Sequence, residues 1–443
     1  MHHLIPLVLQ ALTSVEEGKS IRVALRHTVE SYTPTKEDES LVYYYVFEIY
    51  RRLNLIDLYI KTSSSSFSFR KIHSTRKSTL RLATYLLKIE DRQVSNVYNL
   101  LSDYFSQIDK LEFLPILQSI EEIKEKQLFE NREDKASVLS LKFFLPTWII
   151  RKFISQWDLK FTQDLIQSFQ NPLPLYVRVN TLKTSMEEVK TSFTKKRIAY
   201  EEVKQIKSLL QIIETPIPIP RTSEYINGEV VIQQKSSAAV SLILNPQKDE
   251  RILDMCASPG GKTAHIAALL QESDQITAVD LNDERMRILR NRLELLNVKN
   301  IELLQTDARK LHIEQLNRSY DKILVDPPCS GSGTYSSRPE NRWRLKQRDL
   351  RWYVNLQRDL LQEAALMVKK GGSIVYSTCS LFHDENSEII NSFLEKNKGF
   401  YLDEQSIIIG VQKETEYGIV QEVFPHIHDT EGFFIAKLKR NIS

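Results

Sequence analysis

The sequence predicts an α/β fold built on a mostly parallel sheet, preceded by a small α+β module and an all-α N-terminal domain. Residues 236–443 alternate short apolar runs with helical segments, which is typical of βαβ units. Residues 146–235 combine strand-like runs with one amphipathic segment. Residues 1–145 carry apolar side chains at three- and four-residue spacing and contain little glycine or proline. We therefore predict three domains with these bounds.

The composition is that of a globular protein. At 443 residues the chain exceeds what one hydrophobic core supports, and 42 % of its residues are hydrophobic while 26 % are charged. No apolar run approaches the ~18 residues that a membrane helix needs, and the first residues lack the features of a signal peptide. We therefore expect a cytoplasmic monomer that does not bind membranes. The net charge of +3 does not by itself indicate a nucleic-acid partner.

Each domain has its own predicted elements. In the N-terminal domain the periodicity predicts helices over Ile21–Val29, Leu41–Ile60 and Thr79–Leu87. In the middle module the prolines of Thr215–Pro220 predict an extended segment, because proline disfavours helix for the preceding residue. In the C-terminal domain the predicted strands are Arg251–Met255, Ile276–Asp280, Ile301–Gln305, Lys322–Asp326 and Ser373–Ser377, and the clearest helices are Asp283–Leu296 and Leu350–Val368.

Cysteine and glycine are concentrated at the ends of these strands. Three cysteines cannot form a disulfide framework, and all of them (Cys256, Cys329 and Cys379) lie in the C-terminal half. The chain has only 12 glycines, and six lie within a few residues of a cysteine: Gly260, Gly261, Gly331, Gly333, Gly371 and Gly372. Glycine allows sharp turns and close approach to a ligand. Since ligands of parallel sheets bind at the carboxyl ends of strands, we predict a binding site there.

The segment RILDMCASPGGKT (residues 251–263) predicts the first part of this site, a strand followed by a tight loop and a helix. A P-loop would need glycine where Cys256 stands, and the dinucleotide pattern G-x-G-x-x-G is absent. Asp280 ends the second strand, where an acid can bind both ribose hydroxyls of an adenosine cofactor. Asp307 follows the third strand and is the candidate for the adenine amino group. The loop candidates are Cys256, Ala257, Ser258, Pro259, Gly260, Gly261 and Lys262.

Two cysteine segments, DPPCSGSGT (residues 326–334) and YSTCS (residues 376–380), suit covalent catalysis. Carbon 5 of cytosine is a poor nucleophile, but adding a thiolate to carbon 6 lets carbon 5 attack an electrophilic methyl group such as that of S-adenosylmethionine. Asp326 is the candidate for stabilising the charge that moves toward ring N3. The base must leave its stack to reach such a pocket. Spacing alone leaves open whether Cys329 or Cys379 attacks.

Together these segments resemble the NOP–Sun family of RNA cytosine methyltransferases. The resemblance covers residues from about 146 to 438 and rests on VRVNTLK, LDMCASPGGKT, AVDLN, VDPPCSGSGT, RPENRWR, GGSIVYSTCS followed by ENSEI, and GFFIAKL. It implies a Rossmann-like methyltransferase domain that uses S-adenosylmethionine, in which Gly260–Lys262, Asp280 and Asp326 contact the cofactor or the target base. It also implies that Cys379 is the nucleophile and that Cys329 assists release of the methylated RNA.

The sequence departs from the family pattern at two positions. Ser258 replaces the usual alanine of the first loop, and Pro327 replaces the alanine of the D-A-P-C motif. The helical N-terminal region is similar in length and position to the NusB-like RNA-binding domain of bacterial ribosomal RNA members. That similarity favours ribosomal RNA over transfer RNA as the substrate.

Two stretches are rich in basic residues. Between Leu58 and Ile89 there is no acid, and the cations are Lys61, Arg70, Lys71, Arg76, Lys77, Arg81 and Lys88. This stretch, with the serine run Ser63–Ser66, is either a solvated loop or a phosphate-contacting face. A second stretch carries Arg338, Arg342, Arg344, Lys346, Arg348, Arg351, Trp343 and Trp352. The tryptophans could belong to the core, but the position just after the Cys329 loop favours RNA contact.

Other functions stay open at this point. Methylation of DNA with Cys329 as the nucleophile, methylation of transfer RNA, and a non-catalytic RNA-binding assembly factor are the alternatives. No histidine, cysteine or aspartate cluster has metal-ligand spacing, so we expect no metal.

Overall fold

The computed structural model describes residues 2–30, 35–63, 72–105, 107–130, 132, 134–271, 275–314 and 318–442. The chain forms two compact units. One contains Met1–Ile166 together with Arg338–Leu345, and the other contains Gln167–Ser337 together with Lys346–Ser443. The three-domain division at residues 145 and 235 stays a prediction.

The first unit is helical. Its core includes Ile5, Val46 and Leu86, whose side chains are almost fully buried. The predicted helix over Leu41–Ile60 is interrupted at Arg52, where φ is −102° and ψ is 19°, so two helices replace one. The helices are α1 (Ile5–Glu16), α2 (Ile21–Glu30), α3 (Lys36–Arg51), α4 (Leu53–Ser63), α5 (Ser74–Lys88), α6 (Val94–Leu101), α7 (Gln107–Glu122), α8 (Glu125–Glu130), α9 (Lys135–Lys142) and α10 (Thr147–Gln156), with α11 (Leu159–Ser168) at the junction.

The basic stretch of the helical unit is largely neutralised by its own acids. Arg81, only 5 % exposed, donates to Asp57 Oδ1 over 2.8 Å and to Glu16 Oε2 over 2.6 Å. Lys77 bonds the other oxygen of Glu16, and Arg76 pairs with an acid of α7. Arg76, Lys77 and Arg81 therefore stabilise the helix packing, whereas the sequence indicates either a solvated loop or a phosphate-contacting face. Of that stretch, Ser64–Ser66, Arg70 and Lys71 lie outside the described residues.

The second unit begins with a small antiparallel sheet of strand order β2-β3-β1-β4. The prediction for Thr215–Pro220 is wrong at its end, because Ile219–Arg221 forms a 3-10 turn. Proline is tolerated there because it occupies the first turn, where its missing N–H is not needed. The elements are β1 (Leu175–Val179), α12 (Met186–Lys195), β2 (Ala199–Glu202), β3 (Leu209–Glu214), α13 (Ser223–Ile226) and β4 (Val230–Ile232).

The larger sheet confirms the predicted mostly parallel α/β arrangement at its centre. Strands β7, β6, β5, β8 and β9 are parallel neighbours in that order, and β13, β12 and β11 extend the sheet antiparallel from β9. The strands are β5 (Ile252–Asp254), β6 (Ile276–Asp280), β7 (Glu302–Gln305), β8 (Tyr320–Val325), β9 (Val368–Thr378), β10 (Phe400–Leu402), β11 (Val411–Thr415), β12 (Gly418–Val423) and β13 (Phe433–Arg440). The helices are α14 (Lys235–Leu244), α15 (Gly261–Leu270), α16 (Asp283–Leu295), α17 (Leu311–Glu314), α18 (Asn341–Arg344, in the first unit), α19 (Leu350–Met367), α20 (Ser387–Lys396) and α21 (Pro425–His428).

This strand order brings the predicted site residues to one edge. Asp254 ends β5, Asp280 ends β6, Asp326 follows β8, and Cys379 follows β9. Because these strands are parallel, their carboxyl ends meet at the same side of the sheet. Over the residues that the structure describes, no helix combines the length and apolarity that crossing a bilayer requires.

Candidate active site

The loop between β5 and α15 leaves room for a ligand. Gly260 adopts φ of +97°, and a Cβ atom there would lie 2.8 Å from Cδ1 of Leu289. Gly261 begins α15, and a Cβ atom there would meet nothing within 4 Å. The N–H groups of a helix's first turn bind polar and anionic groups. Open space and hydrogen-bond donors therefore adjoin the predicted loop residues 256–262.

Asp254 is a buried acid beside this loop that the sequence did not single out as a ligand. Its Oδ2 atom accepts a hydrogen bond of 2.7 Å from Thr263 Oγ1, whereas Oδ1 has no partner among the described residues. Burial raises the pKa of Asp254 to about 7. An acid with one buried and unsatisfied oxygen is suited to accept a hydrogen bond from a bound ligand.

The two acids predicted to bind adenosine both have protein partners. Asp280 accepts hydrogen bonds from the backbone N–H of Ser258 over 3.1 Å and from Arg285 Nε over 2.9 Å. Asp307 caps the 3-10 turn Ala308–Lys310, and its hydrogen bond with Arg309 lowers its pKa. A ribose at Asp280 would therefore compete with Arg285, whose side chain is 48 % exposed.

Lys262 and Asp326 form an ion pair across the site. Lys262 Nζ lies 2.7 Å from Asp326 Oδ2, and Ser377 Oγ donates to Asp326 Oδ1 over 2.8 Å. Burial acts to lower the pKa of Lys262, but Asp326, and to a smaller extent Cys379, raise it above its ordinary value. The ammonium group of Lys262 therefore stays charged, and it interacts electrostatically with Cys379, which follows β9.

The two predicted catalytic cysteines are in contact. Cys329 Sγ lies 3.1 Å from Cys379 Sγ, and the backbone N–H of Gly333 donates to the carbonyl oxygen of Cys379 over 2.9 Å. Contact with Cys379, together with burial, raises the pKa of Cys329 well above its usual range. Cys329 therefore remains a thiol that can donate its S–H to the sulfur of Cys379.

The third cysteine differs from this pair. Cys256 packs against a hydrophobic cluster that includes Leu253 and Met255, and burial raises its pKa. A thiol with a raised pKa is mostly protonated and is therefore a poor nucleophile. Any contact that Cys256 makes with a cofactor would therefore use its backbone.

Glu385 is a further residue of the site to which sequence reasoning gave no role. It follows Cys379 by six positions, in the ENSEI segment that the resemblance quoted, and its side chain is fully buried. Its carboxylate accepts hydrogen bonds from residues next to both cysteines. The signal that could have found it is an acid placed just after a cysteine loop.

The segment that follows the Cys329 loop divides between the two units. Arg342 is fully buried in the helical unit, where its Nη1 donates to the carbonyl oxygen of Phe144 over 3.2 Å. Trp343 packs against the helical core and donates from Nε1 to the carbonyl oxygen of Tyr50 over 2.6 Å. The structure therefore contradicts RNA contact by Arg342 and Trp343. For Lys346, Arg348, Arg351 and Trp352, which are exposed, that contact stays a prediction.

Within the described part of the chain, no group of three or more histidine, cysteine or acidic side chains could hold a metal ion.

Two family models match the chain. The model of 16S rRNA methyltransferase RsmB/F matches residues 241–439, and that of the RsmF/B-like ferredoxin-like domain matches residues 145–219.

Two relatives illustrate the similarity in sequence. The chain is 31 % identical over 315 residues to the probable ribosomal RNA small subunit methyltransferase B of Bacillus subtilis, covering 70 % of each protein. It is 32 % identical over 307 residues to the 25S rRNA (cytosine-C(5))-methyltransferase nop2 of Schizosaccharomyces pombe. That match covers 66 % of this chain and 50 % of the yeast protein, so the chain spans about half the length of that relative.

Solved structures are similar as well. The crystal structure of PH0851 is similar with a TM-score of 0.86 at 27 % identity, covering 99 % of both chains. The structure of NSun6 from Pyrococcus horikoshii with SFG is similar with a TM-score of 0.60 at 25 % identity, covering 67 % of this chain and 98 % of that one.

Proposed function

We propose that this chain, which belongs to the RsmB/F family of methyltransferases, methylates carbon 5 of a cytosine in ribosomal RNA with S-adenosylmethionine as the donor. The resemblance to the NOP–Sun enzymes is confirmed by the family models and by the relatives. The observation that carries the mechanism is the pair of sulfurs 3.1 Å apart, at the sheet edge where Lys262 and Asp326 also lie.

The residues at this edge fit S-adenosylmethionine. Asp254 offers a buried oxygen without a partner, which suits a cationic or hydrogen-bond-donating part of the cofactor. Gly261 adjoins open space, and Asp280 lies at the end of the next strand, where an acid can bind ribose hydroxyls. Asp307 is proposed to contact adenine from the end of β7. When bound, the cofactor supplies a methyl group on a positively charged sulfur.

Cys379 is proposed to be the nucleophile that adds to carbon 6 of the base. Contact with Cys379 and burial raise the pKa of Cys329, so Cys329 stays a thiol. The charged ammonium group of Lys262 lies at the same edge of the sheet as Cys379 and contributes a positive charge to the site. Asp326, whose carboxylate is fixed by Lys262 and Ser377, is proposed to contact the N3 side of the ring.

Cys329 is proposed to assist the release of the product. After methyl transfer, carbon 5 loses its proton to water, and the electron pair of that C–H bond re-forms the double bond between carbons 5 and 6 as the bond between carbon 6 and the Cys379 sulfur breaks. The departing thiolate then accepts a hydrogen bond from the Cys329 thiol, which stabilises a leaving group in a buried site. Without that donor, the covalent adduct should accumulate.

Ribosomal RNA is the proposed substrate because the relatives are named for methylation of ribosomal RNA. Residues 1–145 are proposed to form a NusB-like RNA-binding domain. Action in the cytoplasm as a monomer stays a prediction.

The test uses purified variants, unmethylated ribosomal RNA transcripts and radiolabelled S-adenosylmethionine. We expect Cys379→Ala to lose methyl transfer, because it lacks the attacking sulfur. Cys329→Ala should instead form an RNA–protein band that resists denaturing detergent. Cys379→Ser serves as the matched control, because it retains the size of the side chain and should melt at the wild-type temperature.

Full turnover by Cys379→Ala would contradict the mechanism. Methyl incorporation into DNA but not RNA would contradict the proposed substrate and favour the DNA alternative. RNA binding without measurable affinity for S-adenosylmethionine in calorimetry would favour the assembly factor.

A further inference from the structure

The turn after β9 places a buried acid between the two cysteine loops. Glu385 lies at the end of the 3-10 turn His383–Glu385 and is fully buried. Its Oε1 atom accepts hydrogen bonds from the backbone N–H of Ser330 and from Gln357 Nε2, both over 2.9 Å. Its Oε2 atom accepts a hydrogen bond of 2.5 Å from Ser380 Oγ. Ser330 follows Cys329 and Ser380 follows Cys379, so one carboxylate binds both loops.

Further hydrogen bonds hold the same loops together. The Oγ atoms of Ser330 and Ser380 lie 3.0 Å apart, and those of Ser332 and Ser380 lie 3.2 Å apart. Gln357 Nε2 also donates to the carbonyl oxygen of Pro328 over 3.0 Å, which ties α19 to the residue before Cys329. The donors of these hydrogen bonds all belong to the two cysteine loops or to α19.

A buried carboxylate is costly unless several donors bind it. Burial raises the pKa of Glu385, while its hydrogen bonds from Ser330, Ser380 and Gln357 oppose that rise. Glu385 bonds the residues beside the sulfurs rather than the sulfurs themselves. Its contacts therefore indicate that it acts through the loops.

We propose that Glu385 is a positioning residue that sets the separation of the Cys329 and Cys379 sulfurs by bridging the two loops that carry them. This inference rests on the proposed function, in which one sulfur attacks the base and the other stabilises its departure. A displacement of about 1 Å of reacting groups can cost on the order of 100-fold in rate. A residue that fixes this separation should therefore change the chemical step more than cofactor binding.

The first measurement follows the sulfur separation directly and needs neither RNA nor cofactor. Dibromobimane bridges two thiols that lie close together, as each sulfur displaces one bromide, and the bridged product fluoresces. The full-length protein and its variants are mixed with this reagent, and peptide mass analysis identifies the bridged pair. We expect rapid bridging of Cys329 to Cys379 in the wild type and at least about tenfold slower bridging in Glu385→Ala.

Two variants serve as controls. Glu385→Gln retains an oxygen for the Ser330 N–H and an amide that can donate to Ser380 Oγ, so bridging should return to within about threefold of the wild-type rate. Glu388→Ala removes an exposed acid three residues away and should leave the rate unchanged. If Glu385→Ala does not fold, Ser380→Ala removes one donor to the carboxylate at a smaller change in volume, and it should slow bridging to an intermediate extent.

The second measurement is single-turnover methyl transfer at saturating RNA. Glu385→Ala should lower the rate constant on the order of 100-fold, while the dissociation constant for S-adenosylmethionine stays within about twofold. Bridging at the wild-type rate in both Glu385→Ala and Ser380→Ala would overturn the inference. An active Cys379→Ala protein would instead overturn the proposed function and would leave the bridging result unaffected.

Discussion

Asp254→Asn should remove a pH-dependent cost from the cofactor-free protein. Burial raises the pKa of the Asp254 carboxyl from 3.8 to about 7. The folded state therefore favours the protonated acid, and its stability falls as pH rises from about 4 through about 7. With an unfolded pKa of 3.8, linkage predicts a loss of roughly 2–3 kcal/mol between about pH 5 and about pH 8. An asparagine has no proton to lose, so the variant lacks this dependence.

The assay is urea denaturation of the wild type and of Asp254→Asn without cofactor, at the lower and the upper end of the pH range given above. At each pH the unfolding free energy of Asp254→Asn is subtracted from that of the wild type, so that the contributions of the other titrating groups cancel. Asp249→Asn is the control, because Asp249 is exposed and asparagine tolerates its positive φ of 67°. A difference between wild type and Asp254→Asn that stays constant across this pH range would show that the pKa of Asp254 is not raised in the folded protein.

Three further substitutions test the packing. Gly260→Ala should destabilise the protein by about 1–2 kcal/mol, because its φ is +97° and its Cβ would meet Leu289 at 2.8 Å; unchanged thermal stability would contradict this. Arg342→Ala should cost about 1–3 kcal/mol by leaving the Phe144 carbonyl without its donor, and proteolysis of the helical unit should become faster than in wild type. Arg81→Ala should cost about 2–3 kcal/mol, because the partly buried Asp57 loses its ion-pair partner and Glu16 keeps only Lys77; a urea midpoint equal to that of wild type would disprove the network.

The basic residues show where sequence reasoning reached its limit. A stretch without acids indicated either a solvated loop or a phosphate-contacting face, yet Arg81 and Lys77 pair with Glu16, which lies about 60 residues earlier in the chain. Local composition cannot reveal a partner that arrives from another helix. The same reason explains Arg342, whose charge suggested RNA contact but whose side chain binds backbone carbonyls in the helical core.

The sequence alone was enough to predict the parallel core of the sheet, its five parallel strands and the motifs that follow them, but not the antiparallel strands β10 to β13. These features are local, since periodicity sets each element and glycine sets each tight loop. The sequence also places Cys329 after β8 and Cys379 after β9, but their spacing did not show which of the two attacks the base.

The tertiary structure decided which of these residues meet. Because β8 and β9 are parallel neighbours, loops 50 residues apart bring the Cys329 and Cys379 sulfurs into contact. The same folding pairs Lys262 with Asp326 over a separation of 64 residues. It also buries Glu385 between both loops. Contacts of this kind depend on strand order and burial, which are properties of the whole sheet and of no single segment.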